Sequence, residues 1–401
     1  MPLPLYSLAV AVFAMGTSEF MLAGLLPDIA SDLGVTVGTA GTLTSAFAIG
    51  MIAGAPLMAA LARTRPPRSS LLGFVLVFVA AHIAGAATSS FPVLFATRIV
   101  AAFANAGFLA VAMTTAATLV PASRKGRALA VLLSGTTVAT VAGVPGGAVL
   151  GTLSGWRVTF WAVAVLCVPA AAGILRGIPA RSAGETGVRV LRSELAQLRN
   201  RRLILVMLLG ALVNAATFAS LTFLAPVVTG AAGLDPLWVP VVLVLFGVGS
   251  FAGVTVAGRL SDQHPGLVLT VGGPLLLAGW PALAVLAGNP VVLLLLVFVQ
   301  GALSFALGGT LITRVLYEAA GAPTMAGSYA TAALNVGAAA GPLAAAATLG
   351  TATPGTGARD LGPLWVSGLL VAIALLVAFS SAVFRRPGPH GRGPVRRAEP
   401  N

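Results

Sequence analysis

Six polar side chains in this 401-residue sequence stand inside long apolar runs: Glu19, Arg98, Asn105, Asn214, Gln300 and Asn335. Polar groups at such places are costly, so each calls for a reason. Glu19 is the sole acidic residue so placed; the other nine of ten fall in polar breaks, near run ends or in the C-terminal tail. A carboxyl among apolar side chains can load and unload a proton, and an arginine that approaches and withdraws would drive the release. The alternative is a static Glu–Arg pair that fixes two helices. Asn105 follows Arg98 by seven residues and shares its helical face. The four amides suit contacts to an uncharged cargo, or hydrogen bonds between helices. His82 also lies in an apolar run and reads as structural or interfacial; His264 and His390 fall in a loop and the tail. Enzyme chemistry finds no footing. There is no His/Cys/Asp/Glu set with metal spacing, and Lys125 stands before Gly126 and Arg127 rather than in a phosphate-binding Gly-Lys-Ser/Thr loop. No cofactor or metal is expected, and an ion gradient is the remaining energy source.

The elements that position these residues follow from composition. Hydrophobic residues make up 58% of the chain and charged ones 8%, against about 25% charged in a soluble domain. Too few charges remain to solvate a soluble surface, and disorder needs the opposite balance. Lipid must be the main solvent, and a bilayer-spanning helix needs about 20 apolar residues. The net charge of +13 does not indicate nucleic acid, because the basic residues lie scattered in short loops. A single Cys167 excludes a disulfide framework. The N-terminus lacks a basic leader, and Leu3 to Leu26 is too long for a signal peptide core, so it reads as the first span.

Apolar runs predict twelve spans: 4–26, 40–62, 71–88, 92–119, 127–150, 157–177, 203–228, 237–260, 267–287, 290–316, 325–349 and 362–384. With the N-terminus inside, inner connections and the tail hold 20 of the 23 basic residues, while outer ones hold Arg157 and Arg359. That asymmetry predicts cytoplasmic termini; the location expected for the chain is the plasma membrane. The longest connection divides the chain into a six-helix bundle (1–177), a linker (178–202), a second bundle (203–384) and a basic tail (385–401). Leu191 to Leu198 reads as a short amphipathic surface helix or as plain solvated linker.

The halves repeat. Phe47, Gly50, Ala53 and Gly54 match Phe246, Gly249, Ala252 and Gly253 at an offset of 199, which Leu61 and Leu260 keep. Gly143-Val144-Pro145 in span 5 has its counterpart in Gly341-Pro342 of span 11. Parallel repeats of this kind describe a class of secondary transporters. Polar residues concentrate in spans 1, 4, 7 and 10, while spans 6, 9 and 12 lack them, so the first set is expected to line a cavity. Glu19 lies eight residues before Pro27, and Arg98 six after Pro92. At about 1.5 Å per residue both sit roughly 10 Å below the expected outer surface, within reach of each other.

Four stretches carry a resemblance over nearly the whole chain. They are Thr17-Ser18-Glu19-Phe20 through Leu26-Pro27-Asp28-Ile29-Ala30; Thr97-Arg98-Ile99 with Gly107; Gly143-Val144-Pro145-Gly146-Gly147 with Gly151; and Gly155-Trp156-Arg157 followed by Phe160-Trp161. In these the chain resembles the twelve-span drug:proton antiporter branch of the major facilitator superfamily. The resemblance implies a proton-coupling role for Arg98, and a span 5 motif that bends the helix, limits leak and marks exporters. The loop after span 2 keeps Gly54, Arg65 and Arg68 of a gate motif, but Arg63 stands where the family has an acid. That departure bears on the inner-gate salt bridge of the first half. The second copy, Gly258-Arg259-Leu260-Ser261-Asp262, keeps its acid. Gly16 to Leu33, Leu43 to Ala60 and Thr97 to Ala112 further resemble actinobacterial chloramphenicol exporters, which implies that drug as cargo.

The expectation is an all-α integral membrane protein, a monomer whose two six-helix repeats rock about a central cavity and exchange protons for drug. Another drug, a sugar or a metabolite as cargo, and an uncoupled facilitator or channel, stay open at this point.

Overall fold

The structure, a computed structural model, describes residues 2–62, 66–121, 124–178, 196–263, 265–321, 326–349 and 361–380. Twelve long helices account for nearly all of them. α1 runs Leu3–Phe20, α2 Val37–Ala62, α3 Pro67–Ala87 and α4 Phe91–Thr118. α5 has two segments, Lys125–Val138 and Val144–Ser154, joined by a π-helical turn Ala139–Gly143; α6 is Trp156–Gly177. α7 is Arg201–Thr222, α8 Trp238–Gln263, α9 Pro265–Leu286, α10 Pro290–Glu318, α11 Ala326–Ala346 and α12 Gly362–Ser380. Proline opens several of them, where a missing N–H costs nothing. Pro290 follows Asn289, whose side chain accepts from the N–H groups of Val291 and Val292.

Among the described residues eleven helices are long and apolar enough to cross a membrane. The twelfth, α11, is rich in Ala and Gly and falls short of that hydropathy. Its place explains why: it packs against α7 on one side and α2 on the other, so close approach matters more for it than lipid contact. A Cβ on Gly337 or Gly341 would fall on the backbone carbonyl of Ala211 or Ala215 in α7.

The packing repeats helix for helix. In the first half α1 lies against α5 and α6, α2 against α4, and α3 against α4 and α6. In the second half α7 lies against α11 and α12, α8 against α10, and α9 against α10 and α12. Adding six to each label converts the first pattern into the second. Contacts between halves obey the same rule, since α2 packs on α11 and α8 on α5. The internal repeat read from sequence is therefore a repeat of architecture, with all helices related in parallel.

Two local departures from the expected spans concern the site. The first span was expected to continue to residue 26, but α-helical geometry stops at Phe20 and a 3-10 turn covers Met21–Gly24 before a short helix Leu26–Leu33. Pro27 lacks the N–H that would bond the carbonyl of Ala23. A Cβ on Gly24 would lie 2.7 Å from the Ala148 Cβ and 3.2 Å from Leu243, so the chain threads between α5 and α8 here. In the seventh span the α-helix stops at Thr222, and a π-helical turn Val227–Ala231 follows Pro226. The part of the linker that is described holds a 3-10 turn Ala196–Arg199; Leu191–Leu195 of the expected surface helix lie outside the described residues.

Candidate functional site

The carboxyl of Glu19 sits one residue before α1 gives way to its 3-10 turn. It lines a small cavity of about 10 Å³ with Phe20, Ala23, Thr44, Phe218, Leu221 and Thr222. These come from α1 and its extension, from α2, and from α7, so the space lies where the two halves meet. Ligand pockets usually span about 300–1,000 Å³, so the site is closed to cargo in this structure, with room beside the carboxyl for about one water. Phe20 and Phe218 face each other across it with ring centroids 5.6 Å apart. Glu19 has no hydrogen bond or ion pair among the described residues.

Arg98, expected opposite Glu19, is held by that residue's neighbour instead. Its Nη1 donates to Ser18 Oγ and its Nη2 to the Ser18 carbonyl, both at 2.8 Å. The guanidinium carbon lies 4.5 Å from the centre of the Phe47 ring of α2, a cation–π contact. Arg98 is 1% exposed, and its Nε is unpaired. Ser18 Oγ also meets His82 Nε2 of α3 at 2.7 Å. Helices α1, α3 and α4 are thus joined by one hydroxyl, directly beside the candidate proton carrier.

The four amides distribute unevenly around this centre. Asn105 is buried, with its Nδ2 3.5 Å from the Met51 sulfur of α2. Asn214 Nδ2 donates to the Leu334 carbonyl at 2.7 Å, bridging α7 to α11. Asn335 Nδ2 donates to Thr331 O of its own helix. Gln300 is fully buried between α9 and α10, where its Nε2 donates to the Leu276 carbonyl. Its Oε1 lies where a Cβ on Gly279 would be. Asn214 and Asn335 stand on α7 and α11, which reach the junction of the halves, whereas Asn105 stands within the first half and Gln300 within the second.

The glycine motif of α5 does its work against α1 and α6. A Cβ on Gly143 would fall on Thr17 Oγ1, and one on Gly151 on the Leu25 side chain. Gly147 faces Thr159, whose Oγ1 donates to the Gly147 carbonyl at 3.0 Å. Gly146 faces open space. The π-helical turn ends just ahead of Pro145, with the Val144 N–H reaching back to the Ala139 carbonyl. The proline ring is accommodated by this wider turn.

Comparison with known proteins agrees with this geometry. Residues 8–342 match the family model described as Major Facilitator Superfamily. The chain belongs to the Major Facilitator Superfamily. It is 77% identical to a "Chloramphenicol resistance protein" of Streptomyces lividans, over 94% of this chain and 96% of that one. It is 33% identical to the "Inner membrane transport protein YdhP" of Escherichia coli K12, again over 94% and 96%. Among solved structures it resembles a bacterial homolog of the human lysosomal transporter Spinster, in the inward-facing occupied conformation, with a TM-score of 0.69 and 16% identity over 95% of both chains. The twelve-helix, two-repeat architecture is thus the superfamily's, and the chain is a multi-pass membrane protein of a transporter family.

Within the superfamily frame, the gate motif can be followed only in part. Gly54 lies in the α2–α4 contact, where a Cβ would meet Phe103 at 3.0 Å. Arg68 stands in the first turn of α3. Arg65 lies outside the described residues, and Gly258, Arg259 and Asp262 occupy the last turns of α8 with their side chains outside them. On the expected outer face the structure adds a group that spacing did not reveal. Asp32 accepts from Trp156 Nε1 at 3.2 Å and forms an ion pair with Arg157, whose Nη2 also donates to the Thr88 carbonyl at 2.9 Å. The Arg157 hydrogen bond holds the Asp32 carboxyl below its ordinary range. Gly155, at φ 84°, supplies the turn that brings Trp156 and Arg157 there. The family hallmark around Gly155 thus fastens the short helix after α1 to α3 and α6.

Proposed function

We propose that this protein exports chloramphenicol from the cytoplasm across the plasma membrane in exchange for protons, with Glu19 as the proton carrier and Arg98 as its regulator. The observation that carries the reading is a lone carboxyl, without a hydrogen-bond partner among the described residues, in a closed cavity between the halves. A protonated, neutral Glu19 suits the apolar walls of Phe20, Ala23, Phe218 and Leu221, whereas a carboxylate there calls for a counter-charge. Arg98 is one helix away and engaged with Ser18. Cargo and proton then alternate: drug enters from the inside, the outward-open state releases it while Glu19 loads a proton, and return to the inside releases the proton.

The cargo rests on the relative named for chloramphenicol resistance and on the chemistry of the cavity. An uncharged, aromatic, hydrogen-bonding drug matches the facing phenylalanines and the hydroxyls of Thr44 and Thr222, with Asn105, Asn214 and Asn335 as candidate contacts once the cavity opens, and leaves the single acidic group to the proton. The reading includes cytoplasmic termini, supported by the arginine asymmetry, two rocking bundles (1–177 and 203–384) with the linker and basic tail inside, a monomeric unit, and transport without chemical change of the drug.

The test is chloramphenicol accumulation in cells expressing wild type or Glu19→Gln, with and without an uncoupler. Wild type is expected to lower accumulation, and the uncoupler and the mutation are each expected to cancel that effect at equal expression. Undiminished efflux by Glu19→Gln would remove the proton role. No effect of wild type would remove the cargo.

A further inference from the structure

His82 is buried in α3, stacked between Phe78 at 4.1 Å and Phe160 of α6 at 5.7 Å. Its two nitrogens have different partners. Nδ1 lies 2.8 Å from the Phe78 carbonyl and Nε2 lies 2.7 Å from Ser18 Oγ. A carbonyl oxygen can only accept, so Nδ1 carries the hydrogen. In the neutral ring Nε2 then has a lone pair and must accept. Ser18 Oγ already receives a hydrogen from Arg98 Nη1, and among the described residues its own hydrogen points to His82 Nε2. The chain of donation runs in a single direction, from Arg98 to Ser18 to His82 to the Phe78 carbonyl.

Direction is what gives the arrangement a consequence. In this rotamer Ser18 presents a lone pair to Arg98 while its hydrogen points toward α3. Without an acceptor at His82 Nε2, that hydrogen turns back toward the i−4 carbonyl, which re-aims the lone pairs of the hydroxyl. The Nη1 half of the clasp on Arg98 then weakens while the bond to the Ser18 carbonyl stays, and the carboxyl of the next residue, Glu19, competes for the freed nitrogen. Arg98 also has an unpaired Nε in this state, a donor left over for such an exchange. We propose that His82 is a positioning residue for proton coupling: as a neutral Nδ1–H imidazole it orients the Ser18 hydroxyl, which keeps Arg98 off Glu19 while Glu19 carries its proton. The proposal rests on the proton-carrier reading of Glu19 and adds the group that times the Arg98 contact.

Two measurements test it, one of them independent of transport. The chain has three histidines, so nitrogen NMR of the full-length purified protein labelled in histidine, compared with His82→Gln, isolates the His82 ring. The expected signal at neutral pH is the neutral Nδ1–H tautomer. An Nε2–H tautomer or an imidazolium would overturn the proposal, whatever the transport result.

The second measurement uses proteoliposomes, following chloramphenicol-driven proton movement and, separately, chloramphenicol exchange at equal pH on both sides. His82→Phe keeps the aromatic stack and removes the acceptor; Ser18→Ala removes the bridge; His82→Gln restores an acceptor without a titrating ring. The first two are expected to lower proton movement by about tenfold or more, the scale of one hydrogen bond to a charged group, with drug exchange retained. His82→Gln is expected to recover most of the coupling. Loss of both readouts in all three variants reduces His82 to a packing residue and overturns the proposal, as does full coupling in His82→Phe. Failure of the underlying reading looks different: wild type itself would exchange drug without moving protons.

Discussion

Arg98 is 1% exposed, yet both of its terminal nitrogens are bonded to one residue, and its face rests on Phe47. Such an arrangement needs a planar fork. Lysine presents a compact ammonium that cannot reach the Ser18 hydroxyl and carbonyl in the same geometry, nor spread over an aromatic ring. Arg98→Lys is therefore expected to keep the charge and lose the function, with coupled efflux down about tenfold or more and the protein still present in the membrane; normal pH dependence of efflux in this variant would show that charge alone suffices. Asp32 gives a second prediction, on stability. Arg157 holds its carboxyl below the ordinary value of 3.8. A depressed folded-state value means that the pair stabilises the fold above that ordinary value, and that the contribution disappears as pH falls through the folded value. The pair is partly exposed, so the effect is under about 1 kcal/mol. Thermal unfolding of wild type and Asp32→Asn should differ slightly at neutral pH and converge as pH falls through the lowered value of the folded carboxyl; a difference that grows on acidification would contradict this. Glu19 and Arg98 were legible in the sequence because a charge in an apolar run has few explanations. Ser18 and Asp32 were not. A serine in a helix commonly bonds its own i−4 carbonyl, as Thr17 does with Phe13 O at 2.8 Å, and only packing decides which hydroxyl turns to a neighbour.

At the scale of elements, the contact of α1 with α5 sets the site, because Glu19 stands two residues beyond Thr17, and Thr17 Oγ1 fills the place of a Gly143 side chain. Gly143→Ala must push these helices apart or force Thr17 off its rotamer. Overpacking of this kind costs about 1–3 kcal/mol. The expected outcome is a lower unfolding temperature together with reduced efflux or added proton leak. Adding Thr17→Ala removes the hydroxyl and leaves a Cβ contact at 3.0 Å, so the double variant should recover part of both losses. Equal behaviour of wild type and Gly143→Ala would mean that the close approach is not needed. The family resemblance implied a bend at the Gly143–Pro145 pattern; what the structure holds there is a π-helical turn over Ala139–Gly143. The early end of α1 was hidden, because Met21–Gly24 is as apolar as the helix before it. α11 was legible by length and position, although its hydropathy alone does not qualify it; helices that serve the junction between halves are built from small residues rather than from the most lipophilic ones.

Across the whole molecule the same relation appears twice, α2 on α11 and α8 on α5, as the offset of 199 between matching residues foretold. Alternating access requires these two seams to open at one end while they close at the other. On the expected outer side the α2–α11 seam is shut. Ser45 Oγ donates to the Ala339 carbonyl at 2.8 Å, and a Cβ on Gly38 would lie 3.6 Å from the Ala346 Cβ. That separation falls in the roughly 3.5–4.5 Å range of disulfides. The single native Cys167 is buried in α6 and offers no competing thiol. Gly38→Cys with Ala346→Cys should therefore cross-link under mild oxidation and hold the halves together at this end. If export needs the seam to part, efflux stops in the oxidised protein and returns on reduction, while each single cysteine variant transports in both states. Cross-linking should leave cargo binding from the opposite side intact, because the lock touches neither Glu19 nor the amides. A fully cross-linked protein that still lowers drug accumulation would show that cargo leaves by another route, and the rocking of two bundles would have to be given up even though their symmetry stands.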